Sequence, residues 1–233
     1  MSKIFPAATV VLVRDGAEGL ETLLLRRSST VSFAKDCWVF PGGRIDKADY
    51  LGELNDIESA ARRAAVRETR EEANLVVREQ DMVYFAHWTT PSEQPKRFAT
   101  WFYISELQGD PNNVVVDNSE IVEHRWYTPQ QALNDLQAKQ IAMMPPTFIT
   151  LTELSACANL EQALAMYRQR PVPEILPRII VTEQGMLMLY PGDAGYEKGD
   201  ETIRGPRNRF WMLDEAWRYE KTPEGSAFIE QNW

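Results

Sequence analysis

The stretch from Ala60 to Leu75, reading A-A-R-R-A-A-V-R-E-T-R-E-E-A-N-L, constrains this chain more than any other. It predicts a helix from about Ile57 to Ala73, with Asp56 as N-cap and Asn74 in the left-handed position that stops it. On that helix Glu68, Glu71 and Glu72 fall at i, i+3 and i+4, continuing a stripe begun by Ala61 and Ala65. Like charges at those spacings repel, and carboxylates in a last turn oppose the helix macrodipole. A divalent cation removes both penalties, and glutamate oxygens are the hard ligands that Mg²⁺ and Mn²⁺ prefer. The competing reading is a solvated helix face. There Arg62, Arg63, Arg67 and Arg70 pair with the glutamates, Arg67 with Glu71 at i,i+4. Only the first reading requires the rest of the chain to build a pocket around the helix.

The chain has 233 residues, which suits one large domain or one domain with an appendage. Its net charge of −9 argues against binding a nucleic-acid polymer or a membrane surface, both of which call for a basic face. A small anionic substrate held by a few arginines and a metal stays compatible with it. Cys37 and Cys157 form no Cys-x-x-Cys pattern, and His87 and His124 flank no metal-ligand spacing. A reduced, cytoplasmic protein is therefore expected. The apolar start from Met1 to Val13 is too short to span a bilayer and lacks a cleavage site, so no targeting segment is expected. The end, Asn232-Trp233, is not a peroxisomal tripeptide.

Ala7 to Val13 is a β-branched apolar run and reads as a buried strand. Asp15-Gly16 and Gly19 turn it into a hairpin partner at Glu21 to Arg27. Ser28 to Asp36 is a polar loop. Cys37 to Phe40 is stopped by Pro41-Gly42-Gly43, and Arg44 to Glu53 reads as irregular. Beyond the helix, strands are expected at Met82 to His87, Arg97 to Ile104 and Ile121 to Tyr127, with a mobile loop at Thr89 to Lys96. Thr128 caps and Pro129 opens a helix to about Lys139. Further helices are expected from Pro145-Pro146 to Leu154 and from Asn159 to Gln169. The run R-P-V-P-E-I-L-P then breaks the pattern as a linker. Paired strand signals follow at Arg178 to Thr182, Met186 to Tyr190, Asn208 to Leu213 and Trp217 to Lys221. Strands and helices without βαβ alternation predict an α+β fold.

Arg67-Glu68-Thr69-Arg70-Glu71-Glu72-Ala73-Asn74-Leu75 resembles the second half of the Nudix box, G-x5-E-x7-R-E-U-x-E-E-x-G-U, where U is an apolar residue. Phe40-Pro41-Gly42-Gly43 resembles the loop that opens it. The resemblance runs from about Ala7 to Leu154 and includes the stretch from Glu120 to Pro129. Three departures stand out. The spacer between Gly43 and Arg67 is about ten residues longer than the pattern. Ser59 occupies the slot of the supporting acid counted back from Arg67, with Glu58 one place off. Asn74 replaces the final glycine, a mild change because asparagine tolerates the left-handed conformation. A longer spacer is familiar in the branch that resembles coenzyme A and acyl-CoA diphosphatases.

The resemblance implies a Nudix-like α/β/α sandwich with a mixed sheet in residues 1–169. A linker and a small β-rich extension follow in residues 170–233. It implies a Mg²⁺- or Mn²⁺-dependent diphosphatase acting on a small nucleotide diphosphate. Glu68, Glu71 and Glu72, with the Gly43 carbonyl, are the implied metal ligands. Arg67 is expected to orient Glu68, and Glu68 or Glu120 to act as general base, with Glu93 a weaker third. Arg26, Arg27, Lys35, Arg44 and Lys96-Arg97 are candidates for substrate phosphates, each weighed against an ordinary surface role. Trp88, Phe98 and Trp101 could stack a base, though core packing competes for each. His87 and His124 read as structural. Gly192-Asp193 and Tyr196 resemble a C-terminal segment of some of these diphosphatases, as a dimer contact or a lid.

Leu23 to Ser28 with Phe40 to Gly43, Asp46 and Asp49 partly resembles the CoA-associated signature, though Lys35 to Val39 departs from it. The expected substrate is thus coenzyme A or an acyl-CoA, cleaved to 3′,5′-ADP and 4′-phosphopantetheine. ADP-ribose or a nucleotide sugar is the enzymatic alternative, and a non-catalytic nucleotide-binding regulatory domain is the alternative of another class. A homodimer is possible.

Overall fold

A computed structural model describes residues 3–31, 33–52, 56–213 and 216–223. Met1, Ser32, Glu53 and Asn232-Trp233, which the sequence reading touches, lie outside the described residues. Strand β1 (Ile4–Gly16) forms a hairpin with β2 (Gly19–Arg27) through Val13 to Gly16, and pairs in parallel with β6 (Arg97–Glu106) from Ile4 to Val13. Every residue from Ala7 to Val13 is buried, which is why this strand reads as an unbroken apolar run rather than an alternating one.

The remaining strands of this sheet are β3 (Cys37–Val39), β4 (Gly42–Arg44), β5 (Val83–Thr89), β7 (Ile121–Tyr127), β8 (Ala142–Met143) and β9 (Glu174–Ile175). The sheet runs β8-β3-β2-β1-β6-β5-β9, with β4 on β1 and β7 on β2. Parallel and antiparallel pairings mix, as an α+β fold allows.

The pleat divides β1 between two cores. Ala8, Val10 and Leu12 pack on one face with Ala60, Ala61, Ala64 and Ala65 of α1 (Ile57–Ala73). Val11 and Val13 face the other side. There they meet residues of α2 (Pro129–Gln137), α3 (Pro145–Leu154) and α4 (Leu160–Arg168). The result is the expected α/β/α sandwich. Alanines on the inner face of α1 leave no bulk between helix and sheet, and so seat the glutamates that follow in the stripe.

The helix boundaries match the sequence reading. The Asp56 carboxylate accepts from the Ser59 N–H at 3.1 Å, and Asn74 stops the helix at φ 56°. Alanine in that left-handed conformation carries a steric cost that asparagine largely avoids. Asn74→Ala is therefore expected to destabilise the fold by about 1 kcal/mol, read as a lower Tm.

The stretch expected to be irregular between Arg44 and Glu53 is more ordered than that. Gly42–Arg44 joins the sheet as β4, and Lys47–Tyr50 forms a 3₁₀ turn. The Asp49 carboxylate closes that turn by accepting from the Asp46 N–H at 2.8 Å. A run of charged residues carries no periodic apolar signal, so this order could not be read from pattern.

The last four strands, β10 (Arg178–Thr182), β11 (Gly185–Leu189), β12 (Asn208–Met212) and β13 (Trp217–Lys221), form a separate antiparallel sheet. Met188, Tyr190 and Phe210 share the core on the far side from α1, with Tyr190 edge-on to Trp88 at 5.5 Å. Asp193 and Arg209 are both buried and joined by two hydrogen bonds of 2.8 and 2.7 Å. The same carboxylate accepts from the Gly195 and Asn208 N–H groups. Asp193 thus anchors the long connection before β12. Among the described residues, no helix is long and apolar enough to cross a membrane.

Candidate active site at the end of the acidic helix

The last turns of α1 meet the Gly42–Gly43 strand. The Glu72 carboxylate accepts from the Gly42 N–H at 2.9 Å. A Cβ on Gly43 would overlap the Glu68 carboxyl. A Cβ on Gly42 would lie 2.5 Å from the Ala8 carbonyl oxygen and 2.6 Å from the Thr9 Cα, backbone atoms that cannot move aside. Gly42 is required because the central strand's backbone leaves no room for a side chain there, whereas a side chain on Gly43 would displace the Glu68 carboxyl.

Arg67 is the hub of this region. Its Nη1 donates to Glu68 at 2.8 Å and to Glu71 at 3.2 Å, so it makes the contact that each sequence reading of this arginine expects. Its Nη2 donates to the Arg44 carbonyl at 2.9 Å. Nε and Nη2 grip the two oxygens of Asp49 at 3.2 and 3.0 Å. Those bonds, led by Asp49, raise the Arg67 pKa further above its ordinary value.

Asp49 is named by the sequence reading, but its role as the partner of Arg67 was missed. Counting back from Arg67 gives Ser59, and the supporting acid looks lost. Counting forward from Gly43 by the same pattern gives Gly43-x5-Asp49. The insertion lies after this acid, not before it, and Asp49 is buried against Arg67. The Arg63 Nε also donates to the Asp49 carbonyl and fastens the turn to α1.

The acids differ in environment. Glu72 is buried, and desolvation, with the charges of Glu68 and Glu120, pushes its carboxyl up to about 8 against the pull of the Gly42 N–H and Arg27. Desolvation also raises Glu68, opposed by Arg67. Glu71 is mostly exposed. Arg27 stands between two acids, 3.9 Å from Glu72 and 3.4 Å from Glu120. The structure therefore brings Glu68, Glu72, Glu120, Arg27 and Gly43 together.

Several other candidates lie elsewhere or have other partners. Neighbours on a strand point to opposite faces, so Arg26 turns away from Arg27. It is held by Glu123 at 2.8 Å and by Asp36 at 3.7 Å. The Arg44 guanidinium lies 4.2 Å from the Phe5 ring centroid, and Arg97 Nε donates to the Thr90 carbonyl. Glu93 and Lys35 are exposed. Trp88 is buried in the core, Trp101 packs on His87 at 4.3 Å, and the His87 Nδ1 bonds the Tyr84 hydroxyl. His124 is exposed on β7.

Among the described residues, no three acidic, histidine or cysteine side chains converge as a ready-made metal cage. Arg67 and Arg27 instead share the carboxylates of α1. The donor set still fits a hard divalent cation. It offers carboxylate oxygens from one helix face, including a Glu72 whose burial leaves its charge under-compensated. Glu68, Glu71 and Glu72 are the residues that would hold such an ion, with Gly43 beside them.

A family model described as NUDIX domain matches residues 3–146. A Caenorhabditis elegans protein named as a presumed nudix hydrolase is 27% identical over 227 residues, 82% of this chain and 74% of that one. An acyl-coenzyme A diphosphatase of Xenopus laevis is 24% identical over 289 aligned positions, 83% of this chain and 76% of that one. The crystal structure of a NUDIX hydrolase from Alicyclobacillus acidocaldarius superposes with a TM-score of 0.63 at 26% identity. It covers 71% of this chain and 97% of its own.

Proposed function

Because the chain belongs to the NUDIX domain family and is a hydrolase of the diphosphatase class, we propose that it cleaves coenzyme A or an acyl-CoA with the help of Mg²⁺ or Mn²⁺. The products would be 3′,5′-ADP and 4′-phosphopantetheine. The observation that carries the reading is the convergence of Arg67, Glu68, Glu72, Arg27 and Glu120 on the Gly42–Gly43 strand. Similarity to an acyl-coenzyme A diphosphatase along 83% of the chain supports the choice of substrate.

Splitting a diphosphate requires neutralising its oxygens, orienting a water and stabilising the departing phosphate. A bound divalent ion would supply Lewis acidity to the phosphate oxygens. Arg67, braced by Asp49, holds Glu68 in one orientation, so the carboxylate needs no reorganisation during reaction. Glu68, raised by burial, and the exposed Glu120 are the two candidates to accept a proton from water. Arg27 offers a guanidinium to a phosphate in place of its ion pairs with Glu72 and Glu120. A non-catalytic nucleotide binder would have no use for a buried Glu72 that the charges of Glu68 and Glu120 oppose.

Wild-type kcat/KM is expected to rank CoA above dephospho-CoA by about tenfold or more, the worth of one charge-assisted contact to the 3′-phosphate. Arg26→Ala should leave that ratio nearly unchanged, since Glu123 and Asp36 occupy its guanidinium. Product masses from CoA, dephospho-CoA and ADP-ribose, each with Mg²⁺ and Mn²⁺, test the reading. If ADP-ribose is the best substrate and CoA is untouched, the nucleotide-sugar alternative replaces it.

A further inference from the structure

The segment before β7 is built around one carboxylate, that of Asp117. Its Oδ1 accepts from the Ile121 N–H at 2.8 Å and from the Ser119 N–H at 3.3 Å. Its Oδ2 accepts from the Glu120 N–H at 3.1 Å and from the Ser119 hydroxyl. These donors close a turn in which Asn118 is left-handed at φ 57°, a conformation that asparagine tolerates. Desolvation pulls the Asp117 carboxyl upward, and the bonds outweigh it, holding the group below its ordinary value.

The turn is docked as well as closed. The Glu120 carbonyl accepts from the Ser28 N–H at 2.7 Å, so Asp117 holds one backbone group of Glu120 and the end of β2 holds the other. The register between β2 and β7 also shifts here. Arg26 faces Glu123, but Arg27 faces Ile121, passing over Val122. The shift draws Glu120 one residue further along the strand pair, opposite Ser28. Bulges of this kind re-aim side chains and are over-represented beside active sites. Ile121, fully buried in the core shared with α1, fixes the far end of the turn.

Glu120 therefore has a fixed backbone and an exposed carboxylate, 3.4 Å from Arg27. Glu68 is placed differently. Arg67 grips it at 2.8 Å and Gly43 packs against its carboxyl, whereas Glu120 is open to water.

We propose that Asp117 is a positioning residue: by closing this turn it holds the Glu120 carboxylate beside Arg27, where Glu120 takes the proton of the attacking water. The water oxygen forms a bond to phosphorus and its proton passes to Glu120. The bridging P–O bond breaks, and its electron pair leaves on the departing phosphate. Asp117 acts through the backbone of Glu120, as a residue that supports a reacting group rather than one that reacts. The inference rests on the diphosphatase reading but not on coenzyme A in particular.

The test is steady-state hydrolysis, with Mg²⁺, of whichever of CoA, dephospho-CoA and ADP-ribose the wild type cleaves fastest. It compares wild type, Asp117→Asn, Glu120→Gln and the double variant, with folding checked by Tm. Asparagine keeps the volume of Asp117 but turns an amide NH₂ toward N–H donors. Asp117→Asn should lower kcat about tenfold with KM little changed. In the Glu120→Gln background the same change should lower kcat by less than about twofold, because the carboxylate it positions is gone. Asp110→Asn is the control. Asp110 accepts from the Asn112 N–H at 2.8 Å in a turn earlier in the same connection, and its loss should leave kcat unchanged. If Asp117→Asn does not fold, Ser119→Ala, which removes one bond to Oδ2, replaces it in the cycle, with about a threefold loss expected in wild type alone. Unchanged kcat, an equal loss in both backgrounds, or an equal loss in Asp110→Asn would each overturn the positioning role and leave the proposed function standing. A wild type that cleaves none of the three substrates overturns the proposed function and this inference with it.

Discussion

Glu72→Gln is expected to lower kcat by about a thousandfold, roughly 4 kcal/mol of transition-state stabilisation, while the fold survives. The substitution is nearly isosteric, and the glutamine oxygen can still accept from the Gly42 N–H. What it removes is the charge that a divalent cation would meet. Calorimetry with Mn²⁺ should show the corresponding loss of affinity. Full activity of the variant with Mg²⁺ would remove Glu72 from the ligand set.

The same substitution carries a pH signature in metal-free protein. Burial raises the Glu72 carboxyl from 4.5 to about 8. A group raised on folding contributes stability that is complete below its unfolded pKa and is lost as pH rises through its folded one. In EDTA, the Tm of wild type relative to Glu72→Gln should therefore fall between about pH 4.5 and pH 8, then level off. Mg²⁺ should restore wild type alone, because a ligand of the native state stabilises it by mass action. A flat Tm difference across that range would contradict the desolvated state of this carboxyl.

Arg67→Lys is expected to lower kcat by about a hundredfold, with circular dichroism unchanged in shape. The planar fork of Arg67 serves Asp49, Glu68, Glu71 and the Arg44 carbonyl at once. A lysine ammonium is one point charge and cannot span them. Asp49 is buried and would lose both of its bonds to Arg67, so the lysine variant should also show a lower Tm. Asp49→Asn isolates the positioning role. It keeps the volume and one acceptor for Arg67, removes the countercharge, and should cost about tenfold in kcat with KM little changed. A double-mutant cycle of Arg67→Lys and Asp49→Asn should be strongly non-additive, since both changes disturb one unit. A lysine variant with full activity would reduce Arg67 to a surface partner of Glu71.

Local order in this protein was legible in the sequence. Helix periodicity alone placed Glu68 and Glu72 on the stripe of Ala61 and Ala65, and both ends of α1 were signalled by Asp56 and Asn74. Thr128-Pro129 marked the start of α2 for the same reason, since a cap and a preset φ are properties of neighbouring residues. Strand alternation separates Arg26 from Arg27 in the same local way, although nothing local says which of them faces the acids.

Tertiary structure decided the rest. Asp49 joins Arg67 across 18 residues, and only the folding of the β4 strand and its 3₁₀ turn onto α1 shows that the supporting acid precedes the insertion. Glu120 comes near Glu72 because β7 pairs with β2 and so carries the residue just before the strand beside Arg27. Phe5 and Phe98 become one surface through a parallel pairing that no spacing in the chain encodes. Periodicity and capping act over a few residues and are written in the order of side chains. Register, burial and the company each charge keeps are set by which apolar faces pack together, and those depend on the whole chain at once.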